Sequence, residues 1–206
     1  MDLQKAIFER RSVRRFSEEP VPDEDLFAMI EAASWAPNAA NAQMWHFVVV
    51  KKKEVLEAMA QAIEQKFDQI SRQLGFTNEL AGNKRNALFF AKAPVTIAVL
   101  MRPYESKVNL ALKKLGLNQL EIQRLRGQAD LQSIGAAIQN LLLTAYAKDY
   151  GACWMCAPLV AAYEIEKILG VEEPWELKAL IPIGKPADSP GHSSRKAVNE
   201  IITMIE

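Results

Sequence analysis

Between Asp130 and Asp149 the sequence carries a helix that is apolar on nearly every side. Leu131, Ile134, Ile138, Leu141 and Ala145 recur at helical spacing, and Ala136, Ala137, Leu143 and Ala147 leave little polar surface elsewhere. Such a helix has no broad face to give to water, so the rest of the chain must be built around it. The small residues Gly135, Ala136 and Ala137 also leave room for another helix to come close, such as the same helix of a second copy.

The elements that could cover this spine alternate irregularly. Leu3 and Ile7 predict a short first helix. Pro22 opens a second, with Asp23, Glu24 and Asp25 in its first turn and Leu26, Phe27, Ile30 and Ala33 as its apolar face, and Pro37 ends it. His46 to Lys51 has the composition of a strand, and Leu56, Met59, Ile63, Phe67 and Ile70 mark an amphipathic helix. Val95 to Met101 follows Pro94 as an unbroken apolar run, the mark of a central strand buried on both faces. Leu110 to Leu125 is Leu-rich but highly charged, which predicts peripheral helix. Glu164 to Leu169 is a short helix closed by Gly170, and Leu177 to Ile183 is a strand whose Pro182 places that end at an edge or beyond the ladder. This order predicts an α+β fold in one domain over residues 1–206, since a regular βαβ repeat is absent from the pattern.

Composition narrows the function classes. Basic and acidic residues balance at 25 each, so no global field favours nucleic acid or an anionic membrane, and little repulsion opposes self-association. No apolar run reaches the roughly 20 residues of a membrane helix, and Met1 to Lys5 lacks the apolar core of a secretory signal. Two cysteines, Cys153 and Cys156, do not make a disulfide framework, and a cytoplasmic location is the default expectation. Their Cys-x-x-Cys spacing ends a helix instead of preceding one, unlike a thioredoxin motif. His46 and His192 stand too far off in sequence to complete an evident zinc site, and no metal is expected.

Two segments carry chemistry. Arg10-Arg11-Ser12-Val13-Arg14-Arg15-Phe16 can hold a phosphate through charge-assisted, bidentate hydrogen bonds. It can equally be a solvated basic helix end favoured by the dipole, or a short nucleic-acid patch. Ala36-Pro37-Asn38-Ala39-Ala40-Asn41-Ala42-Gln43-Met44-Trp45 joins a helix to a strand, where loops often carry function. The amides of Asn41 and Gln43 suit the edge of a heteroaromatic ring. The same loop can also be a helix stop with Trp45 plugging the core.

Together the two segments resemble the nitroreductase family, which pairs an RRS-x-R-x-F segment with a PN-x-x-N-x-Q-x-W loop. The resemblance continues through Lys92-Ala93-Pro94-Val95, through Ile138 to Leu143 leading to Gly151-Ala152-Cys153-Trp154-Met155, and through Ile183-Gly184-Lys185-Pro186 and Ser194-Arg195-Lys196. These anchors span almost the whole chain in the family's order.

The resemblance implies a central, mostly antiparallel sheet surrounded by helices, and an intertwined homodimer with FMN at the subunit interface. Arg10, Arg11, Ser12 and Arg195 match the positions that hold the FMN phosphate and ribityl chain, and Arg14 matches the cation beside flavin N1 and O2. Pro37, Asn38 and Asn41 match the loop that reaches the flavin from the partner. Met155, Cys156 and Ala157 match the backbone stretch against the isoalloxazine, with Cys and Ala where many relatives have Gly. Residues 103–129 match a variable region that serves as a helical lid or as a peripheral hairpin. No G-x-G occurs in the chain, so NADH or NADPH would be a transient hydride donor stacking on the flavin. The activity implied is ping-pong reduction of nitroaromatic, quinone or similar small-molecule acceptors, with the chemistry carried by the flavin and no protein catalytic group. Reductive dehalogenation, enone reduction, flavin-modifying oxidation and non-catalytic flavin binding are the other readings of the same fold.

Overall fold

A computed structural model describes residues 2–191 and 194–206 of the chain. The N-terminal Met1 and the second histidine, His192, lie outside them. In chain order come helix α1 (Leu3–Glu9), α2 (Asp23–Ser34), strand β1 (Trp45–Val50), α3 (Lys53–Leu74), α4 (Ala81–Leu88), β2 (Val95–Met101), α5 (Lys107–Lys114), α6 (Gln119–Arg126), α7 (Ala129–Ala147), the two-residue β3 (Gly151–Ala152), α8 (Ala162–Leu169) and β4 (Glu176–Gly184). The sheet is antiparallel throughout, in the order β1-β2-β4-β3, so the architecture is α+β.

The apolar run of β2 takes an interior place because both of its faces are covered. Val95, Ile97, Val99 and Met101 meet the α2 and α7 side, where Leu26, Met29, Ile134, Ile138 and Leu141 are buried. Ala98 and Leu100 meet the opposite side, built from Leu56, Met59, Ile63 and Phe67 of α3 with Phe90 and Ile165. A strand buried on both faces loses its period-2 pattern and becomes continuously apolar, as this one is. Among the described residues no helix is long and apolar enough to cross a membrane.

Three details depart from the sequence expectations. Phe27 is 69% exposed while Met29 is fully buried and takes its place on the apolar face of α2. Leu131 shares the inward face of α7 but is 45% exposed. Periodicity sets where a side chain points, and Tyr104 meets the first turn of α7 at Asp130 while Leu131 is left exposed. Pro182 does not lie at an edge or beyond the ladder, because β4 is interior and Pro182 is in register with Thr96. Its carbonyl accepts from Cys153 N at 3.3 Å, so its missing N–H faces the side where β3 is only two residues long. The ladder with β2 therefore loses no donor. The charged Leu-rich stretch is two helices, broken where Gly116 adopts φ +85.

The end of α7 is tied to α2 by a polar knot. Asp25 accepts from Lys148 Nζ at 2.7 Å and from the Tyr150 hydroxyl at 2.8 Å, and Lys185 Nζ stands 4.2 Å from the Tyr150 ring centre. The knot fixes the residue that immediately precedes β3. Burial, and then the hydrogen bond to Asp25, push the Tyr150 hydroxyl from 10.0 up to about 12. Between those two values the unfolded chain gives up this proton while the folded chain keeps it. Stability therefore falls as pH rises through that window. Chemical denaturation followed from pH 9 to pH 12 is expected to show that fall in the wild type and a flatter profile in Tyr150→Phe. Identical profiles would contradict the assignment.

Candidate functional site

After α1 the chain runs extended from Arg10 to Ser17 and is strapped across the ends of the sheet. Ser12 makes a parallel bridge with Ala152, and Phe16 an antiparallel bridge with Pro186. Val13 N donates to Ala152 O at 3.1 Å and Ser17 N to Lys185 O at 2.9 Å, while Ala187 N donates to Arg15 O at 3.0 Å. The strap thus borrows its hydrogen bonds from β3 and from the chain leaving β4, which meets the requirement that buried backbone groups be paired. The same pairing carries residues 188–191 back over the strap, where Arg15 and Asp188 form an ion pair at 3.1 Å.

The two segments enclose a cavity of about 370 Å³, lined by Arg10 through Arg15 on one side and by Asp188 through Gly191 and Arg195 on the other. Of the predicted site residues, this brings together Arg10, Arg11, Ser12, Arg14 and Arg195. Arg11 is also the cap of α1: its Nη1 donates to Phe8 O at 2.6 Å and to Arg10 O at 2.8 Å. Arg10 lines the same cavity. Its Nε is buried and has no hydrogen-bond partner among the described residues. Burial first, and then the neighbouring Arg11, lower its affinity for the proton; Cys153 acts the other way, and Arg195 adds a smaller lowering.

Magnitudes decide between a basic helix end and an anion cradle. A cation at a helix C-terminus gains about 0.3–1 kcal/mol from the dipole. A buried N–H left without an acceptor costs about 1–3 kcal/mol, and like charges crowded around it add to that. A helix end alone therefore leaves Arg10 in deficit, whereas a phosphate would satisfy its Nε and offset the surrounding positive charge. The geometry fits a ligand that carries a phosphate group.

The other predicted residues lie outside that cavity. Pro37 and Asn41 are exposed, on a loop where Ala40, Asn41 and Gln43 have φ of 52, 51 and 45. Asn38 shapes that loop: its Oδ1 accepts from Gln43 N at 2.9 Å and its Nδ2 donates to Ala36 O at 3.3 Å. Ser133 Oγ and Arg102 hold the rest, accepting from Ala39 N at 3.3 Å and donating to Ala42 O at 2.8 Å respectively. Trp45 is buried at the loop's end.

Met155 is buried, and its N–H and C=O are both committed to Leu180. A main-chain N–H offered to a ligand from this stretch would therefore come from Cys156 or Ala157, both exposed. Cys153 and Cys156 are free thiols, one buried and one exposed, and burial pushes the Cys153 thiol up. Sequence reasoning missed Arg15, Asp188 and the 189–191 segment as cavity residues. Arg15 lay in the arginine run, but the return of Asp188 is a tertiary contact with no local signal.

The sequence profile of the nitroreductase family matches residues 7–185. A BluB-like flavoprotein from Clostridium difficile 630 is 36% identical, covers 100% of both chains and superposes with a TM-score of 0.90. The iodotyrosine deiodinase of Hydra vulgaris is 28% identical over 204 residues, which is 96% of this chain and 70% of that protein. The FMN and NADPH-dependent nitroreductase NfnB of a Sphingopyxis strain (sphigopyxis sp. strain HMH) shares the fold, with a TM-score of 0.75 at 17% identity over 100% of both chains.

An anion in the cradle should stabilise the folded state by mass action. Replacing chloride with inorganic phosphate at constant ionic strength is expected to raise the melting temperature of the flavin-free protein, by about 2–4 °C per kcal/mol of binding energy. Arg10→Gln should lose more than half of that increment without lowering the melting temperature in chloride, because the variant also removes a half-buried charge. An undiminished phosphate response would rule Arg10 out of the site.

Proposed function

The chain belongs to the nitroreductase family, and from that premise we propose that it is an FMN-dependent NAD(P)H oxidoreductase working as a homodimer with the flavin at the subunit interface. The observation that carries this reading is the strap cavity, in which Arg10 Nε sits among the arginines with no hydrogen-bond partner among the described residues. FMN supplies the redox chemistry when bound, taking two electrons and a proton from NADH or NADPH and giving them to an electron-poor acceptor such as a nitroaromatic or a quinone. Arg10, Arg11, Ser12 and Arg195 hold the phosphate end. Arg14, exposed at the same cavity, provides the cation beside flavin N1 and O2. There it favours the more negative, reduced state over the oxidised one. The backbone of Met155, Cys156 and Ala157 lies against the ring, with the free N–H coming from one of the last two.

Two features support the dimer. The Pro37–Asn41 loop lies outside its own chain's arginine cavity, as expected of residues that serve a partner's flavin. Large apolar side chains are exposed on α1 at Leu3, Ile7 and Phe8, on α2 at Phe27 and just past its end at Trp35, and near the C-terminus at Val198, Ile201, Ile202, Met204 and Ile205. Apolar surface on that scale belongs against another molecule, and a chain of zero net charge offers little resistance to pairing with a copy of itself. Residues 103–129, which contain α5 and α6, are the candidate cover that sets acceptor choice. The free thiols fit a reducing cytoplasm.

A second reading changes only the acceptor. The relationship to an iodotyrosine deiodinase favours a halogenated aromatic, reduced with loss of halide. The purified protein is expected to be yellow and to release FMN on denaturation, and anaerobic NADH or NADPH should bleach it. Colourless protein that takes up no FMN would contradict the cofactor, and a yellow protein that does not bleach would be a binder without turnover. Steady-state rates with nitro, quinone, halogenated and enone acceptors then separate the reactions. Arg14→Ala is expected to lower the flavin midpoint potential by tens of millivolts, on the order of what a charge-assisted hydrogen bond provides in a two-electron couple. An unchanged potential in a variant that still binds FMN would sink the role given to Arg14.

A further inference from the structure

Gly151 and Gly184 are register partners across the β3–β4 pair, and both lie directly beneath the arginine strap. A Cβ on Gly151 would stand 2.5 Å from Val13 Cγ2, 2.6 Å from Val13 Cβ and 2.8 Å from Val13 Cγ1. A Cβ on Gly184 would stand 2.7 Å from Pro94 Cδ and 3.3 Å from Phe16 Cβ. Val13 is 4% exposed and lies between Ser12 and Arg14, two of the residues that line the cavity. Val13 is therefore seated on the missing Cβ of Gly151, whereas the space above Gly184 is filled first by Pro94 and only at its margin by Phe16.

We propose that Gly151 is a positioning residue for the phosphate site: its missing Cβ leaves a notch that sets how deeply the strap sits, and Val13 is the side chain that fills it. This rests on the FMN reading above. A rotamer change cannot relieve a residue added at 151, because Val13 Cβ itself is among the clashing atoms and moves only with its backbone. The movement cannot be taken up by β3 either, since Gly151 and Ala152 are paired to β4 and Ala152 O already accepts from Val13 N. The strap must rise, and Ser12, Arg14 and the buried Nε of Arg10 rise with it, away from where the phosphate is held. The flavin ring feels the shift only through Arg14, whereas the phosphate loses Ser12 and Arg10 together, so the larger penalty falls on the phosphate end of the ligand.

The test is a double-mutant cycle read by equilibrium binding of FMN and of riboflavin, which lacks the phosphate, to flavin-free wild type, Gly151→Ala, Val13→Gly and the double variant. Gly151→Ala is expected to weaken FMN at least about tenfold and riboflavin less than about threefold, while the double variant returns to within about threefold of Val13→Gly alone. Equal losses for the two ligands, wild-type FMN affinity in Gly151→Ala, or losses that simply multiply in the double variant would each overturn the proposal. Should Gly151→Ala not fold, the double variant decides: it must fold and bind FMN within about threefold of Val13→Gly, and failure to do so overturns the notch. A wild type that binds neither flavin would overturn the FMN reading instead. The notch is then judged by the melting increment in inorganic phosphate, expected to be lost in Gly151→Ala and recovered in the double variant, and overturned if it is not.

Discussion

Val13 N–H meets Ala152 O and Ser17 N–H meets Lys185 O; Arg14 and Arg15 lie between these two bonds, and Arg10 and Arg11 lie just before the first. A free peptide carrying Arg10, Arg11, Arg14 and Arg15 would spread its charges into water. Two like charges about 4 Å apart near a protein surface repel by about 4 kcal/mol at an effective dielectric constant of ~20. Two backbone hydrogen bonds, at about 0.5–1.5 kcal/mol each, do not hold such a cluster unaided. The burial of Val13 and the closure of residues 187–188 over Arg15 supply the rest of the restraint. What remains is a concave site with a surplus of positive charge, a facing carboxylate at Asp188, and the buried Arg10 Nε, which has no acceptor among the described residues.

The core exists, from this viewpoint, to keep β3 still. Helix α7 delivers the chain to Tyr150, the Asp25 knot fixes Tyr150 against α2, and the very next residue, Gly151, begins the strand on which the strap rests. Strand β2 is buried along its whole length and holds β4 in register. Lys185, which receives the strap's second hydrogen bond, follows β4 directly. A ligand in the cavity is thus held by side chains whose backbones are referred to the centre of the sheet.

Much of this was legible in the amino-acid sequence, for identifiable reasons. The elements α3, β2 and α7 were readable because their patterns are long and each is decided by burial, which leaves a periodic trace. The arginine run and Arg195 could be read as a candidate phosphate site only together with the ordered resemblance of the whole chain to one family; what the structure adds is that they line one cavity. The exchange of Phe27 for Met29, the exposure of Leu131 and the interior place of Pro182 were not readable, because each depends on whether a neighbour stands opposite. The notch was invisible for the same reason. Gly151 and Val13 stand far apart in the chain, and Gly151 does not adopt a left-handed backbone that would have marked it. The contact between Arg15 and Asp188 likewise joins two exposed charges with no shared local pattern.

The central claim is that the strap is where the flavin phosphate is held. A crystal structure of the FMN-loaded protein tests it most directly. It is expected to place phosphate oxygens within about 3 Å of Arg10 Nε, the Ser12 hydroxyl and the Arg195 guanidinium, with the strap still seated over Gly151. A phosphate bound elsewhere, with Arg10 Nε still lacking an acceptor, would contradict it.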